Sequence, residues 1–169
     1  MVMQIHAGSK RNSDPALMAA RGANLGADIP VPTNYVDGLQ PLLARHGNAP
    51  GLRLIVFTLD ETAYARELAP MAGYWPSLMI GPPWWFFDSS NGIRRYLDAV
   101  VETAGFHNLA GFNDDTRALL SIPARHDVWR REISRFLAEL VAEHRLSRAS
   151  ARELAAHLAY QAAKDAYRL

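Results

Sequence analysis

The chain has 169 residues, about half of them apolar, which is enough for one domain with a sizeable core and too few for two ordinary domains. Its formal net charge is +1, with basic and acidic residues mixed along the sequence, so it presents no basic face of the kind that binds nucleic acid. It has no cysteine, which excludes disulfides and thiolate ligands, and no apolar run near the roughly 20 residues of a membrane span, so we expect a cytoplasmic protein without nucleic-acid or membrane partners.

The first half of the chain predicts two strand–helix units. The apolar run at residues 2–5 predicts a strand buried on both faces, which ends at His6 and a polar loop. Apolar residues at helical spacing within 35–43 predict the first helix. The run 52–59 is rich in branched and aromatic residues and predicts the second strand, after which Asp60 is placed to cap a helix.

The second half predicts two more units and a helical end. Residues 77–80 predict the third strand, and four consecutive aromatic residues follow at 84–87. A polar turn then begins a helix whose apolar face runs from 93 to 101. The stretch 109–121, LAGFNDDTRALLS, predicts a fourth strand that ends in two carboxylates and a guanidinium. Two longer helices occupy the rest, with apolar residues at helical spacing from Trp129 onward.

About four strand–helix units in a row predict an α/β fold with a parallel sheet covered by helices, because parallel neighbours need crossover connections. The topology is either an open doubly wound sheet or part of a (β/α) barrel, and residues 1–169 contain no linker that would divide two domains. In both topologies ligands bind at the carboxyl ends of the strands. His6, Asp60, the pair at 84–85 and the DDTR loop at 114–117 each follow a predicted strand end, which predicts one shared site.

Each of these residues also has a structural interpretation. Asp60 is best explained as a helix cap, and we leave it out of the candidate site. A histidine at a strand end, such as His6, is more often a hydrogen-bonded structural residue than a ligand contact. The aromatic residues at 84–87 can pack in a core, although four in a row cannot all face one side of a strand. The DDTR loop alone is better explained as a solvated loop with an aspartate that caps the following turn.

Four groups of residues together resemble the C-terminal portion of the uronate (glucuronate) isomerase family, in the amidohydrolase superfamily. They are QIHAGSKRN at 4–12, GADIP at 26–30, GPPWWFFDSSNG at 81–92, and DDTRALLS at 114–121 followed by ARHDVWRR at 124–131. Their order and approximate spacing resemble the family along the whole chain. The resemblance implies the C-terminal half of a TIM-type (β/α)8 barrel, with about four parallel strand–helix units and an extra C-terminal helix.

The resemblance also implies a reaction and the residues that catalyse it. Asp115 matches an aspartate beside the metal that is a candidate base for proton transfer, and Arg117 matches an arginine that contacts the substrate. The implied reaction is the aldose to ketose conversion of D-glucuronate to D-fructuronate, or of D-galacturonate to D-tagaturonate. A carboxylate near the acidic carbon and a guanidinium near the developing oxygen charge are the groups that such a reaction needs.

Further residues match positions that bind the sugar acid in the family. His6 and Arg11 match the histidine and arginine of an H-x-G-x-x-R motif, and an arginine offers a uronate carboxylate two parallel hydrogen bonds. Asp28 matches an acidic loop position, and Trp84 and Trp85 match tryptophans that border the pocket. The resemblance therefore implies a substrate site built from these five residues.

Two features depart from the family pattern. A full barrel needs about 250 residues, more than the chain has. The His-x-His pair that completes the metal site in this superfamily is absent, since no two histidines stand two positions apart, and Asp115 alone is fewer than the three protein ligands that a catalytic zinc usually takes. We therefore expect a divalent metal such as zinc to bind only with the missing N-terminal half, and little isomerase activity from the chain alone. We also expect association, with that half or as a homo-oligomer, because the end strands of a half-barrel are open edges.

Two other functions remain open. One is that of another metal-dependent hydrolase of the amidohydrolase superfamily, with a different metal arrangement. The other is a non-catalytic module for sugar-acid binding or protein interaction, in which Arg11, Arg117 and the tryptophans bind a ligand that is not converted.

Overall fold

The computed structural model describes residues 2–26, 28–116 and 118–169, in which short strands alternate with helices. Arg117, one of the predicted site residues, therefore lies outside the described residues. The strands are β1 (Val2–Ala7), β2 (Ser9–Lys10), β3 (Ile29–Pro30), β4 (Arg53–Thr58) and β5 (Leu78–Ile80). The α-helices are α1 (Pro15–Arg21), α2 (Tyr35–His46), α3 (Glu61–Ala63), α4 (Ala69–Tyr74), α5 (Ser90–Ala104), α6 (Ile122–Ala142), α7 (Arg148–Ala156) and α8 (Ala162–Tyr167).

Shorter helical turns connect several of these elements. Two are π-helical and continue one helix into the next, Tyr64–Leu68 between α3 and α4 and His157–Gln161 between α7 and α8. Three are 3-10 turns, Trp85–Asp88, Phe106–Asn108 and Leu119–Ser121. The first of these turns follows the predicted third strand, and the last follows the DDTR loop.

The main sheet has three parallel strands in the order β1-β4-β5, and β2 and β3 form a separate antiparallel ribbon. β4 lies in the centre of this sheet. It pairs with β1 along the whole length of β1, Val2 to Ala7, on one side and with β5 on the other. It is almost entirely buried, as its continuous apolar sequence predicts for a strand covered on both faces. The predicted α/β fold, with a parallel sheet and covering helices, is confirmed.

The predictions of the first and fourth strands were wrong in part. β1 continues through His6 to Ala7 and is only partly buried, because among the described residues it pairs with β4 alone. The fourth strand is reduced to one parallel bridge between Ile80 and Leu109. The backbone cannot continue extended beyond it, since Gly111 has φ +78° and lies against α8, where a Cβ would come within 2.7 Å of the Ala163 nitrogen.

Side-chain caps explain where several helices begin. The predicted cap at Asp60 is confirmed, because its carboxylate accepts the Thr62 N–H at 3.1 Å before α3. Ser89 caps α5 in the same way. The helix α1 lies in the segment after His6 that the sequence predicted as loop. Asp14 caps its first turn by accepting the Leu17 N–H at 2.9 Å. A polar side chain followed by proline is a typical helix start.

The core lies between the main sheet and the helices α4, α5 and α6. Trp129 of α6 is fully buried, stacks on Phe112 with ring centroids 5.2 Å apart, and donates its Nε1–H to the Leu158 carbonyl at 3.0 Å. These contacts place Trp129 in the core and tie α6 to the C-terminal helices. Across the described part of the chain, no helix is both long enough and apolar enough to cross a membrane.

Candidate functional site

A cavity of about 700 Å³ lies beyond the carboxyl ends of the main-sheet strands. The residues around it come from four segments: the ribbon with α1, the turn after β5, the loop between the Leu109 bridge and α6, and the beginning of α6 itself. They are Arg11, Asn12, Ser13, Asp14, Leu17, Met18, Gly22, Asn24, Leu25, Gly26, Asp28, Trp84, Trp85, Asp115, Thr116, Ala118 and Arg125.

The β2–β3 ribbon brings Arg11 and Asp28 together. Lys10 pairs with Ile29 in this antiparallel ribbon. Arg11, which follows Lys10, therefore lies opposite Asp28, which precedes Ile29. The Arg11 Nε lies 3.0 Å from the Asp28 Oδ1, which also accepts the Ser9 hydroxyl at 2.9 Å. The Asp28 side chain is 12% exposed and that of Arg11 is 53% exposed. The carboxylate therefore orients a guanidinium that still faces the cavity.

Trp84 forms the buried wall of the cavity, with His6 behind it. The Trp84 residue is 4% exposed, and its Nε1–H has no acceptor among the described residues. The His6 ring lies 4.2 Å from the Trp84 ring and 4.9 Å from the Phe57 ring, centroid to centroid. A buried donor without a partner is costly, and such groups are common where a bound water or ligand supplies the acceptor.

His6 is electrostatically coupled to the charged residues of the cavity. Partial desolvation lowers the pKa of His6 below its ordinary value, and Arg11 acts in the same direction. Asp115 and Asp28 act in the opposite direction and raise it. The net lowering favours a neutral ring near pH 7, which has one donor and one acceptor nitrogen.

The loop that carries Asp115 is held by hydroxyl groups. The Thr116 and Ser121 hydroxyls lie 3.0 Å apart, and Thr116 Oγ1 accepts the Ala118 N–H at 3.1 Å. Asp114 points away to α6, where its Oδ2 lies 3.7 Å from the His126 Nε2. The two neighbouring carboxylates therefore differ in their surroundings: Asp115 lines the cavity and Asp114 faces the helix.

Backbone strain is concentrated around the cavity. Six described residues other than glycine have positive φ, and four of them line the cavity: Asn12, Asn24, Trp85 and Asp115. Asn residues adopt this conformation readily, whereas for a bulky residue such as Trp85, at φ +59°, it is costly. Strained residues of this kind persist where the surrounding structure holds them, and they cluster at functional sites.

The structure brings together most of the residues that the sequence assigned to a site. Arg11, Asp28, Trp84, Trp85 and Asp115 line one cavity. His6 is not part of the lining but contacts Trp84. Asp60, left out as a helix cap, is indeed occupied elsewhere, since it accepts the backbone N–H groups of Thr62 and Thr33.

Two polar residues of the lining, Asn12 and Arg125, were not among the predicted site residues. Asn12 accepts the Asn24 N–H at 2.8 Å and so closes the loop between β2 and β3. Arg125 forms an ion pair with Asp88. Both lie inside motifs quoted above, QIHAGSKRN and ARHDVWRR, and those motifs are the signal that points to them.

The metal that the family resemblance implies does not find a complete set of ligands here. No three His, Asp or Glu residues within 2–26, 28–116 and 118–169 are grouped so that they could hold a metal ion. Asp115 is one carboxylate ligand at most, whereas a catalytic zinc usually takes three protein ligands. The described residues therefore do not fit a resident metal by themselves, and we derive no catalytic step through one.

Comparisons with known proteins agree with these motifs. A family model described as glucuronate isomerase matches residues 1–167. The uronate isomerase of Sphingopyxis alaskensis is 60% identical over 169 residues, which are 100% of this chain and 36% of the relative. The uronate isomerase of Phenylobacterium zucineum is 61% identical over 100% of this chain and 35% of its own length. The chain thus spans about a third of the length of the curated relatives it matches.

Two solved structures resemble the fold closely. Glucuronate isomerase from Caulobacter crescentus superposes with a TM-score of 0.97 at 58% identity, over 99% of this chain and 35% of that one. Uronate isomerase from Thermotoga maritima superposes with a TM-score of 0.91 at 30% identity, over 98% of this chain and 36% of that one. The similarity of fold therefore extends over nearly the whole of this chain.

Proposed function

The chain belongs to the glucuronate isomerase family, and we propose that it provides part of the active site of a uronate isomerase. The reaction is the conversion of D-glucuronate to D-fructuronate, or of D-galacturonate to D-tagaturonate. The observation that carries this proposal is that Arg11, Asp28, Trp84, Trp85 and Asp115 line one cavity at the carboxyl ends of the strands. A cation, carboxylates and aromatic faces are the groups that bind a sugar acid.

Arg11 is the proposed partner of the substrate carboxylate. Its ion pair with Asp28 uses Nε and fixes the plane of the guanidinium, so less side-chain entropy is lost when a ligand binds. The Trp84 Nε1–H, which is buried and has no acceptor among the described residues, would donate to a sugar oxygen. His6 lies behind Trp84 and, as a neutral ring, supports its orientation.

Asp115 and Arg117 are the proposed catalytic residues. In an aldose to ketose conversion one proton moves from C2 to C1 and a second moves from the C2 hydroxyl to the C1 oxygen, so that the C1 aldehyde becomes a hydroxymethyl group and the C2 hydroxyl becomes a carbonyl. Asp115 would take the proton from C2 and return it to C1, as a carboxylate base does. Arg117 would stabilise the oxygen charge that develops between these two steps. A divalent metal such as zinc would bind only where the missing N-terminal half supplies the remaining ligands beside Asp115.

We further propose that residues 1–169 form a single domain equivalent to the C-terminal half of a (β/α)8 barrel. The support is that β1, β4, β5 and the bridge at Leu109 are parallel and lie side by side in the order in which they occur along the chain, as barrel strands do. β1 is partly exposed along its outer edge. Association with an N-terminal half, or with a second copy, would cover that edge. Size-exclusion chromatography with light scattering tests this, and a well-folded monomer that does not associate would contradict it.

Calorimetry with D-glucuronate and with neutral D-glucose tests the proposed site. We expect the chain to bind the uronate and not glucose, and Arg11→Gln to weaken uronate binding by roughly 10- to 100-fold, as expected for a lost hydrogen bond to a charged group. Arg21→Gln, which removes an arginine at the far end of α1, is the matched control and should bind as the parent does.

The outcome with a complementing segment separates the candidate functions. Mixed with the N-terminal two thirds of a uronate isomerase and a divalent metal, the chain should convert D-glucuronate, and Asp115→Asn should abolish the conversion. Binding without conversion in this mixture would instead favour a non-catalytic module. Absence of uronate binding under both conditions would refute the proposal.

A further inference from the structure

Asp88 and Arg125 form an ion pair that connects two parts of the cavity wall. Asp88 is the last residue of the turn Trp85–Asp88, and Arg125 lies near the beginning of α6. The Asp88 side chain is 10% exposed and the Arg125 side chain 31% exposed. A carboxylate so far removed from water is costly unless a cation compensates for it. The pair is therefore a connection between elements and not an ordinary surface contact.

Arg125 occupies an unusual position for a cation. Positive charge is unfavourable near a helix N-terminus, and α6 has no acidic residue in its own first turn. Burial lowers the pKa of Arg125, and its Nε has no acceptor within the described ranges. Asp88, which comes from another element, supplies the negative charge that this end of α6 lacks.

The turn that Asp88 ends is strained at its other end. Trp85 has φ +59°, a conformation that a bulky side chain adopts only where its surroundings hold it. Before it, Trp84 is fixed by burial. After it, Phe87 packs against Gly92 so closely that no Cβ fits at Gly92. The ion pair of Asp88 is thus one of the contacts that hold the strained turn in place.

The strained conformation has a consequence for the cavity. It places the Trp85 ring over the loop that leads to Asp28, where a Cβ added to Gly26 would lie 3.3 Å from the ring. Trp85 therefore bridges the turn after β5 and the ribbon loop, and it forms the cavity wall between them.

We propose that Asp88 and Arg125 are positioning residues: their ion pair holds the turn Trp85–Asp88 against α6 and keeps the Trp85 ring over the Gly26 loop. The importance of this role for catalysis rests on the proposed function, since Trp85 is a wall of the proposed uronate site. The positioning itself requires no substrate. Loss of either charge should release Trp85, and loss of a surface ion pair should not.

Fluorine NMR of the full chain labelled with 5-fluorotryptophan tests the positioning role. The chain has four tryptophans, at 75, 84, 85 and 129, and Trp85→Phe assigns the signal of Trp85. We expect Asp88→Ala and Arg125→Ala each to shift the Trp85 signal. The double variant should shift it no further, because both changes break the same contact. Asp98→Ala is the matched control, since it breaks an exposed ion pair within α5, and all four signals should stay in place.

Two results would overturn the inference. One is a Trp85 signal that does not move in either single variant. The other is an equal shift of the Trp75 and Trp129 signals, which would show that the pair supports the whole fold and not this turn. If the alanine variants do not fold, Asp88→Asn decides: it keeps the size of the side chain but removes its charge, so the Trp85 signal should shift in a folded protein, and an unmoved signal refutes the role.

D-glucuronate titration separates this inference from the proposed function. If the parent binds the uronate, Asp88→Ala should weaken binding by about tenfold, as misplacement of one contact does, and unchanged binding would refute the link between Trp85 and the site. If the parent does not bind the uronate, the proposed function fails, and the Trp85 signal alone decides the positioning role.

Discussion

The centre of the sheet and the ribbon beside it are built in opposite ways. β4 and β5 are almost fully buried, and apolar contacts with α5 and α6 surround them. In the segment from β2 to β3, by contrast, none of the seven described residues of α1 is buried. The ribbon is held instead by a few polar contacts, such as those of Asp28. The candidate site lies where these two regions meet, with Trp84 from the first and Arg11 from the second.

This difference predicts that one set of residues stabilises the fold and another set binds the ligand. Burial of apolar side chains supplies most of the free energy of folding, whereas exposed ion pairs contribute little. We therefore expect changes in the central region to act on unfolding, and changes in the ribbon to act on ligand binding. The following predictions test that division, from the largest expected effect to the smallest.

Trp129→Ala should produce the largest loss of stability. The side chain is fully buried, stacks on Phe112 and donates a hydrogen bond to the Leu158 carbonyl. Removing it should lower the free energy of unfolding by about 3–5 kcal/mol, as measured by urea denaturation. Leu17→Ala in α1, where the side chain is 39% exposed, is the control and should change it by less than about 0.5 kcal/mol. Equal effects of the two would contradict the division.

Glu67→Ala should lower the free energy of unfolding by less than Trp129→Ala does, because it removes a single polar contact of the central region. The Glu67 carboxylate is buried and accepts the Tyr35 backbone N–H at 3.0 Å, which holds the beginning of α2. Without it this donor is left unsatisfied, at a cost of about 1–3 kcal/mol. Thermal unfolding measures the loss. The exposed Glu153 provides the control substitution Glu153→Ala, and a similar destabilisation by both would disprove the explanation.

Acidification should destabilise the fold through His157. Burial and, secondarily, the neighbouring His107 lower the pKa of His157, while Asp165 raises it. The unfolded state then binds a proton more readily than the folded state, so stability decreases as the pH falls below about 6.5, the ordinary histidine value, toward the lowered pKa. His157→Gln should flatten this dependence between pH 7.5 and 5.5. His144→Gln, at an exposed position, should leave the slope unchanged.

Asp28→Ala should have the smallest effect on stability and a clear effect on binding. It breaks the ion pair with Arg11, whose side chain is 53% exposed, so the free energy of unfolding should change by no more than about 1 kcal/mol. D-glucuronate should bind more weakly because the guanidinium is no longer oriented. Ser9→Ala removes only the hydroxyl contact to the same carboxylate and should weaken binding less. A large loss of stability in Asp28→Ala would show that the ribbon belongs to the core.

The central region could be predicted from the sequence because burial leaves a pattern there. The apolar run at 52–59 corresponds to β4, and the helical spacing from Trp129 onward corresponds to the greater part of α6. The ribbon region could not be predicted in this way. A helix such as α1, with no buried residue among those described, has no apolar periodicity to detect. The prediction of the fourth strand failed for the opposite reason: its apolar residues are buried, but in a segment that Gly111 turns away from the sheet.

By itself the sequence determined the α/β class, the family, and the motifs from which the candidate site is built. Only the tertiary structure decided that Arg125 belongs to the cavity wall, that Trp85 is strained, and that His6 lies behind Trp84. The physical reason is that periodicity and capping report how each element meets water or the core. A cavity depends on the relative orientation of loops from separate elements, which is set by a few long-range contacts such as Asp88 with Arg125 and Arg11 with Asp28.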